Sequence, residues 1–145
     1  AIEAIESFNK PYLIGAHISE GVKLPSGENI SKIITTINHK NLLGIILSCV
    51  SPENYEQNIT ELKTLGVPFG FKLNGFMTTN PDKGYTDNFN KSKTGNPNEF
   101  LGQRKDLTPE KMGMIVKKFK EAGATILGGC CETRPAHIKE MSRLK

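Results

Sequence analysis

The sequence contains no tryptophan, few aromatic residues and no long apolar run. Only 7% of its 145 residues are aromatic, and no apolar stretch approaches the roughly 20 residues that a transmembrane helix needs. We therefore expect no membrane partner. The formal charge is +4, but aromatic residues do not alternate with the basic ones, so we expect a solvated surface and no nucleic-acid partner.

Cysteine is also scarce, and the sequence shows no secretory signal. The chain has 3 cysteines, an odd number, so a disulfide framework is not expected. Free thiols persist in a reducing compartment, which favours a cytoplasmic location. The chain opens with Ala1 and has no initiator methionine, which fits either N-terminal processing or a chain that begins partway through a larger protein.

Apolar runs alternate with helix-period patterns along the chain and predict an α/β fold. Four short apolar runs are typical of buried strands, and amphipathic segments follow them. Ser51-Pro52 and Thr108-Pro109 are typical helix starts, with a hydroxyl N-cap before a proline. The predicted strands are 12–16, 42–47, 69–73 and 124–127, and the predicted helices are 1–9, 30–37, 51–65, 108–123 and one from residue 133 or 134.

Successive strand–helix units predict a parallel sheet with both faces covered. Such units form either a small open sheet or half of an eight-unit barrel. Cys49 ends the second predicted strand and Cys130 the fourth, and alternate barrel strands contribute to the same interior layer. The cysteines therefore favour half of a (β/α)8 barrel, with residues 1–145 as one partial domain. Residues 74–107, which are polar and without a clear period, are expected to be a long loop, either a lid or simply mobile.

The three cysteines stand at two strand-to-helix junctions and indicate a metal site. Cys130 and Cys131 are adjacent and therefore poor disulfide partners, because the ring that would join them is strained. With Cys49 they supply three thiolates for a tetrahedral zinc ion and leave a fourth position open, which is typical of a catalytic site. The alternative is three inert cysteines in the core, since free cysteine is often buried.

A run of residues around the adjacent cysteines forms a recognisable motif: Gly128-Gly129-Cys130-Cys131, Thr133, Pro135 and His137-Ile138. This motif resembles the closing motif of the homocysteine S-methyltransferase family, with weaker matches at Lys10-Pro11, Leu24-Pro25-Ser26-Gly27-Glu28 and Asn74-Gly75. The resemblance covers nearly the whole chain and implies the C-terminal half of a TIM barrel, strands five to eight. It also implies that zinc is held by Cys49, after the sixth strand, and by the pair Cys130 and Cys131, after the eighth.

The resemblance implies zinc-dependent methyl transfer to the thiol of homocysteine, which gives methionine. The donor would be a small molecule such as S-methylmethionine or betaine. Homocysteine-binding residues of the family lie in the first half of the barrel, so activity is expected only within a complete barrel. A complementary half-barrel or a homo-oligomer would cover the open sheet edges.

Other residues near the cysteines have weaker functional interpretations. No catalytic residue is assigned beyond the metal site. Asn74 and His17, near the carboxyl ends of predicted strands, either bind substrate or belong to an ordinary turn and loop. His137 is expected to pack at a helix start, and Glu132 is expected to lie beside the site rather than bind the metal.

Two alternatives remain open at this point. One is a non-catalytic zinc-binding or structural half-barrel that pairs with another chain. The other is a methyltransferase that acts on selenocysteine or another thiol. The chain has Ser48 where the family usually has asparagine, and Phe76 where an acidic residue is usual. Donor binding or substrate orientation is therefore expected to differ from the family pattern.

Overall fold

The computed structural model describes residues 2–18, 20–37, 40–77 and 101–144, and these form an α/β structure. None of the helices in these ranges is long and apolar enough to cross a bilayer. Residues 78–100, the greater part of the loop predicted at 74–107, lie outside the described residues. The strands are β1 (Tyr12–Ala16), β2 (Leu42–Val50), β3 (Phe69–Leu73) and β4 (Ile126–Gly129); the helices are α1 (Ile2–Glu6), α2 (Ser31–Thr36), α3 (Pro52–Leu62), α4 (Pro109–Glu121) and α5 (Pro135–Ser142), with a 3-10 turn at Lys63–Leu65.

The four strands form one parallel sheet in the order β1-β2-β3-β4. A strand order that follows the sequence, with right-handed crossovers, places all connecting helices on one face. The core agrees, because Leu47 and Phe71 belong to the same buried cluster as Leu62, Val116 and residues of the other helices. A doubly wound sheet would instead reverse its order at a switch point. The prediction of four parallel strand–helix units is confirmed, and the arrangement is compatible with a partial TIM barrel.

Three buried rings form the centre of this core. Tyr55 of α3 lies 4.7 Å from Phe71 of β3 and 4.9 Å from Phe119 of α4, measured between ring centroids. Phe71 and Phe119 meet edge to face at 5.7 Å. Such pairs contribute about 0.5–1.5 kcal/mol each beyond the area that they bury. They hold α3 and α4 against the sheet whose carboxyl end carries the cysteines.

The opposite face of the sheet carries small and apolar residues, and we refer to it as the inner face. Helices α2 to α5 contribute residues to the core on the other face, so the expectation that both faces are covered is met for that face of the described part. Leu13 is 45% exposed there. By strand register, the inner face consists of Leu13, Gly15, Gly44, Ile46, Ser48, Gly70, Lys72, Ile126 and Gly128.

The boundaries of two strands, β2 and β4, differ from the sequence-based prediction. β2 continues three residues past the predicted end, because Val50 resumes pairing with Leu73 after a register shift. β4 begins at Ile126 and includes two glycines, because Gly128 and Gly129 pair with β3 despite their low strand propensity. Both changes extend the sheet toward the cysteines.

Candidate metal centre

The structure brings the three predicted cysteine ligands together at the carboxyl end of the sheet. The Sγ atoms of Cys49 and Cys131 are 3.6 Å apart, and those of Cys130 and Cys131 are 3.9 Å apart. All three sulfurs lie within 4.8 Å of one another, and each cysteine is half-buried and free of a disulfide. The cluster could therefore hold a metal ion.

An irregularity in β2 places Cys49 at this cluster. The register between β2 and β3 shifts between Ser48 and Val50, so Cys49 has no partner residue on β3. Its φ is +56°, in the left-handed region that L-residues other than glycine rarely adopt. A residue held in such a conformation needs support from its surroundings.

Asn74 supplies that support from the end of β3. Its Nδ2 donates to the carbonyl oxygen of Cys49 at 2.7 Å and lies 3.9 Å from the Cys49 Sγ. Its Oδ1 accepts from the backbone N–H of Phe76 at 3.2 Å. Asn74 is only 1% exposed. Its side chain thus fixes the backbone of a cluster cysteine, and a direct contact with substrate stays a prediction.

The two adjacent cysteines are held by hydrogen bonds from their backbone. The N–H of Cys130 donates to the Leu73 carbonyl oxygen at 2.7 Å, and the carbonyl oxygen of Cys131 accepts from the N–H of Gly75 at 2.9 Å. The Cys130 carbonyl oxygen accepts from both the backbone N–H and the Oγ1 of Thr133, at 3.1 Å and 2.6 Å. The end of β3 therefore contacts all three cysteines.

Cys49 and Cys131 both resist ionisation. Burial, the largest cause, and the neighbouring thiols of Cys130 and Cys131 together raise the pKa of Cys49 to about 12. The pKa of Cys131 is also raised, chiefly by burial. A divalent cation reverses this preference, because a thiol that binds a metal is deprotonated. A bound cation would therefore favour the thiolate forms of Cys49 and Cys131.

The two histidines singled out in the sequence occupy different settings. His17 is exposed, and its Nδ1 lies 3.1 Å from the carbonyl oxygen of Ser48. It stands beside β2 just before the cluster, and a contact with substrate stays a prediction. His137 is buried, and its Nδ1 accepts from the N–H of Arg134 at 3.0 Å. Its Nε2 then donates to the Leu107 carbonyl oxygen at 2.9 Å, so His137 joins two segments.

Arg104 connects the segment that begins at residue 101 to the site. The sequence does not single out this arginine. Its backbone N–H donates to the Gly75 carbonyl oxygen at 2.8 Å. Its guanidinium contacts Glu53 at 2.7 Å and Asp106 at 2.9 Å, and it holds the pKa of Asp106 well below the usual range. No motif or periodicity marks Arg104 in the sequence, because two of its partners, Glu53 and Gly75, lie on other segments.

Two cavities of similar size lie elsewhere in the described part of the chain. One, of about 500 Å³, lies between β4 and α5 and includes Leu127, Ile138 and Met141. The other, of about 490 Å³, borders Met77 and Arg104. Neither cavity is lined by a cysteine, so neither contains the candidate metal centre.

Comparison with known proteins gives consistent matches. A family model described as homocysteine S-methyltransferase matches residues 1–144. Homocysteine S-methyltransferase 1 of Saccharomyces cerevisiae is 29% identical over 145 aligned positions, which cover 92% of this chain and 39% of the yeast protein. The protein of the same name from Brassica oleracea var. italica is 26% identical over 125 positions, covering 86% of this chain and 34% of the plant protein. The chain thus spans 34–39% of the length of these relatives.

Proposed function

The chain belongs to the homocysteine S-methyltransferase family, and on that premise we propose that it is the metal-holding part of a zinc-dependent methyltransferase. The reaction is the transfer of a methyl group from a small donor, such as S-methylmethionine or betaine, to the thiol of homocysteine. The product is methionine. The observation that carries this proposal is the convergence of the Sγ atoms of Cys49, Cys130 and Cys131.

The spacing of the sulfurs supports zinc as the metal. Zn–S bonds of about 2.3 Å in tetrahedral geometry place the sulfurs about 3.8 Å apart. The Cys49–Cys131 and Cys130–Cys131 sulfur separations of 3.6 Å and 3.9 Å bracket that value. Thiolate donors favour zinc over magnesium or calcium, which prefer oxygen. Three protein donors leave the fourth position for the thiol of the substrate.

The proposed chemistry needs a nucleophilic sulfur and a positioned donor. Zinc, when bound, lowers the pKa of a coordinated thiol so that a thiolate forms near neutral pH. The homocysteine thiol loses its proton to solvent, and its sulfur forms a bond to the methyl carbon. The bond between that carbon and the sulfur or nitrogen of the donor breaks, and its electron pair stays on that atom, which becomes a neutral thioether sulfur or amine nitrogen.

The residues of this chain position the reactants and keep the site open. Asn74 holds the backbone of Cys49, and Gly129 lets Thr133 and Ile138 pack against the end of β4, because a Cβ there would collide with both. We retain His17 and Asn74, near the carboxyl ends of β1 and β3, as proposed substrate contacts. Orientation of this kind is a large part of what a site contributes to a two-substrate reaction.

We further propose that β1 to β4 are strands five to eight of a (β/α)8 barrel. The sequential strand order, the packing of α2 to α5 on the other face of the sheet and the 34–39% coverage of the relatives support this. The other half would come from the same protein or from a second chain, and free thiols suit a reducing cytoplasm. No observation on the described residues favours a non-catalytic half-barrel.

The proposal is tested on the purified, reduced protein by metal analysis and by methionine formation from homocysteine and S-methylmethionine or betaine. We expect about one zinc per chain, and we expect Cys131→Ser to lose both zinc and methyl transfer. The control is Ser142→Ala, which removes an exposed hydroxyl at the end of α5. A folded protein that binds no zinc after reconstitution, or a Cys131→Ser variant that keeps both properties, would overturn the proposal.

A further inference from the structure

One charged residue occurs in the four strands, and it lies on the inner face of the sheet. This residue is Lys72 of β3, which is exposed. The remaining residues of the inner face are glycine, serine, leucine or isoleucine. A cation on a surface of this kind is costly to enclose unless an anion accompanies it. Lys72 is therefore the feature of the inner face that most needs a partner.

The strand register places Lys72 close to the cysteine cluster. Lys72 pairs with Ser48 on one side and Gly128 on the other. A Cβ at Gly128 would lie 3.5 Å from the Cγ of Lys72, so the lysine stem passes over this glycine. Cys130 follows Gly128 by two residues, directly after the end of β4, which is about 6.6 Å further along an extended chain. The flexible four-carbon stem of lysine spans a comparable distance, so the ammonium group can reach the level of the cysteines.

The described residues leave this ammonium group available. Lys72 makes no ion pair or side-chain hydrogen bond within the described ranges. The carboxylates that form ion pairs there contact other cations: Glu53 and Asp106 bind Arg104, and Glu56 binds Lys118. Gly128, the neighbour of Lys72 on β4, carries no side chain of its own that could pair with the ammonium group.

We propose that Lys72 binds the carboxylate of an amino-acid ligand at the metal site. This inference rests on the proposed function and deepens it, because homocysteine, S-methylmethionine and betaine each carry a carboxylate. The ammonium of Lys72 and the cluster of Cys49, Cys130 and Cys131 would then hold the two ends of one ligand, or hold the thiol substrate and the donor side by side. Lys72 selects ligands that carry a carboxylate.

The first experiment compares homocysteine with 3-aminopropane-1-thiol, which has the same chain without the carboxylate. Binding to the zinc-loaded protein is measured by calorimetry for the wild type, Lys72→Met and Lys72→Arg. If Lys72 donates a charge-assisted hydrogen bond to the carboxylate, Lys72→Met lowers the affinity for homocysteine about tenfold or more. Its affinity for 3-aminopropane-1-thiol and its zinc content stay unchanged, and Lys72→Arg recovers part of the loss. Lys63→Met, an exposed lysine outside the inner face, is the matched control and changes nothing.

A second pair of ligands identifies which carboxylate Lys72 binds. S-methylmethionine is compared with (3-aminopropyl)dimethylsulfonium, and betaine with tetramethylammonium. If Lys72→Met loses affinity for the donor that carries the carboxylate but keeps its affinity for homocysteine, Lys72 binds the carboxylate of the donor.

Three results would overturn the inference about Lys72. The first is an equal loss of affinity in Lys72→Met for ligands with and without the carboxylate. The second is no loss of affinity for any of these ligands, and the third is a loss of zinc from Lys72→Met. The last would mean that the lysine balances the charge of the thiolates. In each case 3-aminopropane-1-thiol still binds the wild-type metal site. If neither thiol binds the zinc-loaded wild type, the proposed function fails instead.

Discussion

The side-chain amide of Asn74 donates a hydrogen bond of 2.7 Å to the backbone carbonyl oxygen of Cys49. The same amide accepts from the N–H of Phe76 at 3.2 Å. One buried residue at the end of β3 therefore fixes the backbone of β2 at the point where a cysteine leaves regular strand geometry. The position of one sulfur in the cluster depends on this neighbour, and the dependence can be measured.

Replacing Asn74 by alanine should destabilise the protein and weaken metal binding. Two backbone groups, the part-buried carbonyl of Cys49 and the buried N–H of Phe76, would lose their partner. An unsatisfied buried group costs about 1–3 kcal/mol, so we expect a loss of about 2–4 kcal/mol in the free energy of unfolding. Urea denaturation of the metal-free protein measures this loss, and competition with a chelator measures zinc affinity.

Asn41→Ala is the control for this prediction. Its amide donates to Asn9 at 3.2 Å in an exposed pair, so we expect a change within about 0.5 kcal/mol and no change in zinc affinity. If Asn74→Ala behaved like Asn41→Ala, the side chain of Asn74 would have no part in holding Cys49.

The left-handed backbone of Cys49 predicts an unusual preference for glycine at this position. Because glycine adopts positive φ freely, the free energy of unfolding of Cys49→Gly should exceed that of Cys49→Ala by about 1 kcal/mol. Urea denaturation measures this difference. The metal-free, reduced protein is used, so that loss of a metal ligand does not contribute. Cys130 is the matched control because its φ is not positive. There the order should reverse, with alanine at least as stable as glycine. The same order at both positions would argue against strain at Cys49.

The raised pKa of Cys49 predicts that the metal-free protein loses stability in alkaline solution. Thiols of the unfolded chain ionise near pH 8.5, whereas Cys49 in the folded protein keeps its proton up to about pH 12. The stabilisation is complete below the unfolded pKa and is lost as pH rises, with a slope of at most about 1.4 kcal/mol per pH unit. The difference between the wild type and Cys49→Ser, measured by urea denaturation from pH 8 to 10.5, isolates this contribution.

Zinc should invert that dependence. Metal binding requires deprotonated thiols, so protons compete with the metal and zinc is released as pH falls. A metal-free protein whose stability relative to Cys49→Ser stayed flat above pH 8.5 would show that burial does not suppress ionisation of this thiol.

Local patterns in the sequence predicted most of the fold. The predicted N-caps are confirmed: Ser51 Oγ accepts from the N–H of Asn54 at 3.1 Å, and Thr108 Oγ1 accepts from the N–H of Lys111 at 3.3 Å. These contacts span three residues and need no tertiary information. The bounds of β1 and β3 match the predictions because short apolar runs end at polar or glycine-rich segments. The end of β2 differed because it depends on pairing with Leu73, which no local pattern reveals.

The candidate site was partly predictable for the same reason. The spacing of cysteines along alternate strands indicated that they meet, and the structure places them together. The positive φ of Cys49 and its hydrogen bond from Asn74 were not predictable, since both arise from contacts between strands. The pairing of Arg104 with Glu53 joins residues 51 positions apart and has no signature in either segment.

The backbone contacts between residues 76–77 and residues 101–103 have a further consequence, for chain length. The N–H of Met77 donates to the carbonyl oxygens of Leu101 and Gly102, and Phe76 forms a bridge with Gln103. These contacts join Phe76 and Met77 to residues 101–103 beside the cysteines. The entropic cost of bringing two points of a chain together grows only with the logarithm of the number of residues between them, about 0.6 kcal/mol per doubling. Insertions or deletions between the joined ends would therefore change the free energy of unfolding little and leave the sulfurs where they are, so this is where the chain can vary in length without altering its metal-binding chemistry.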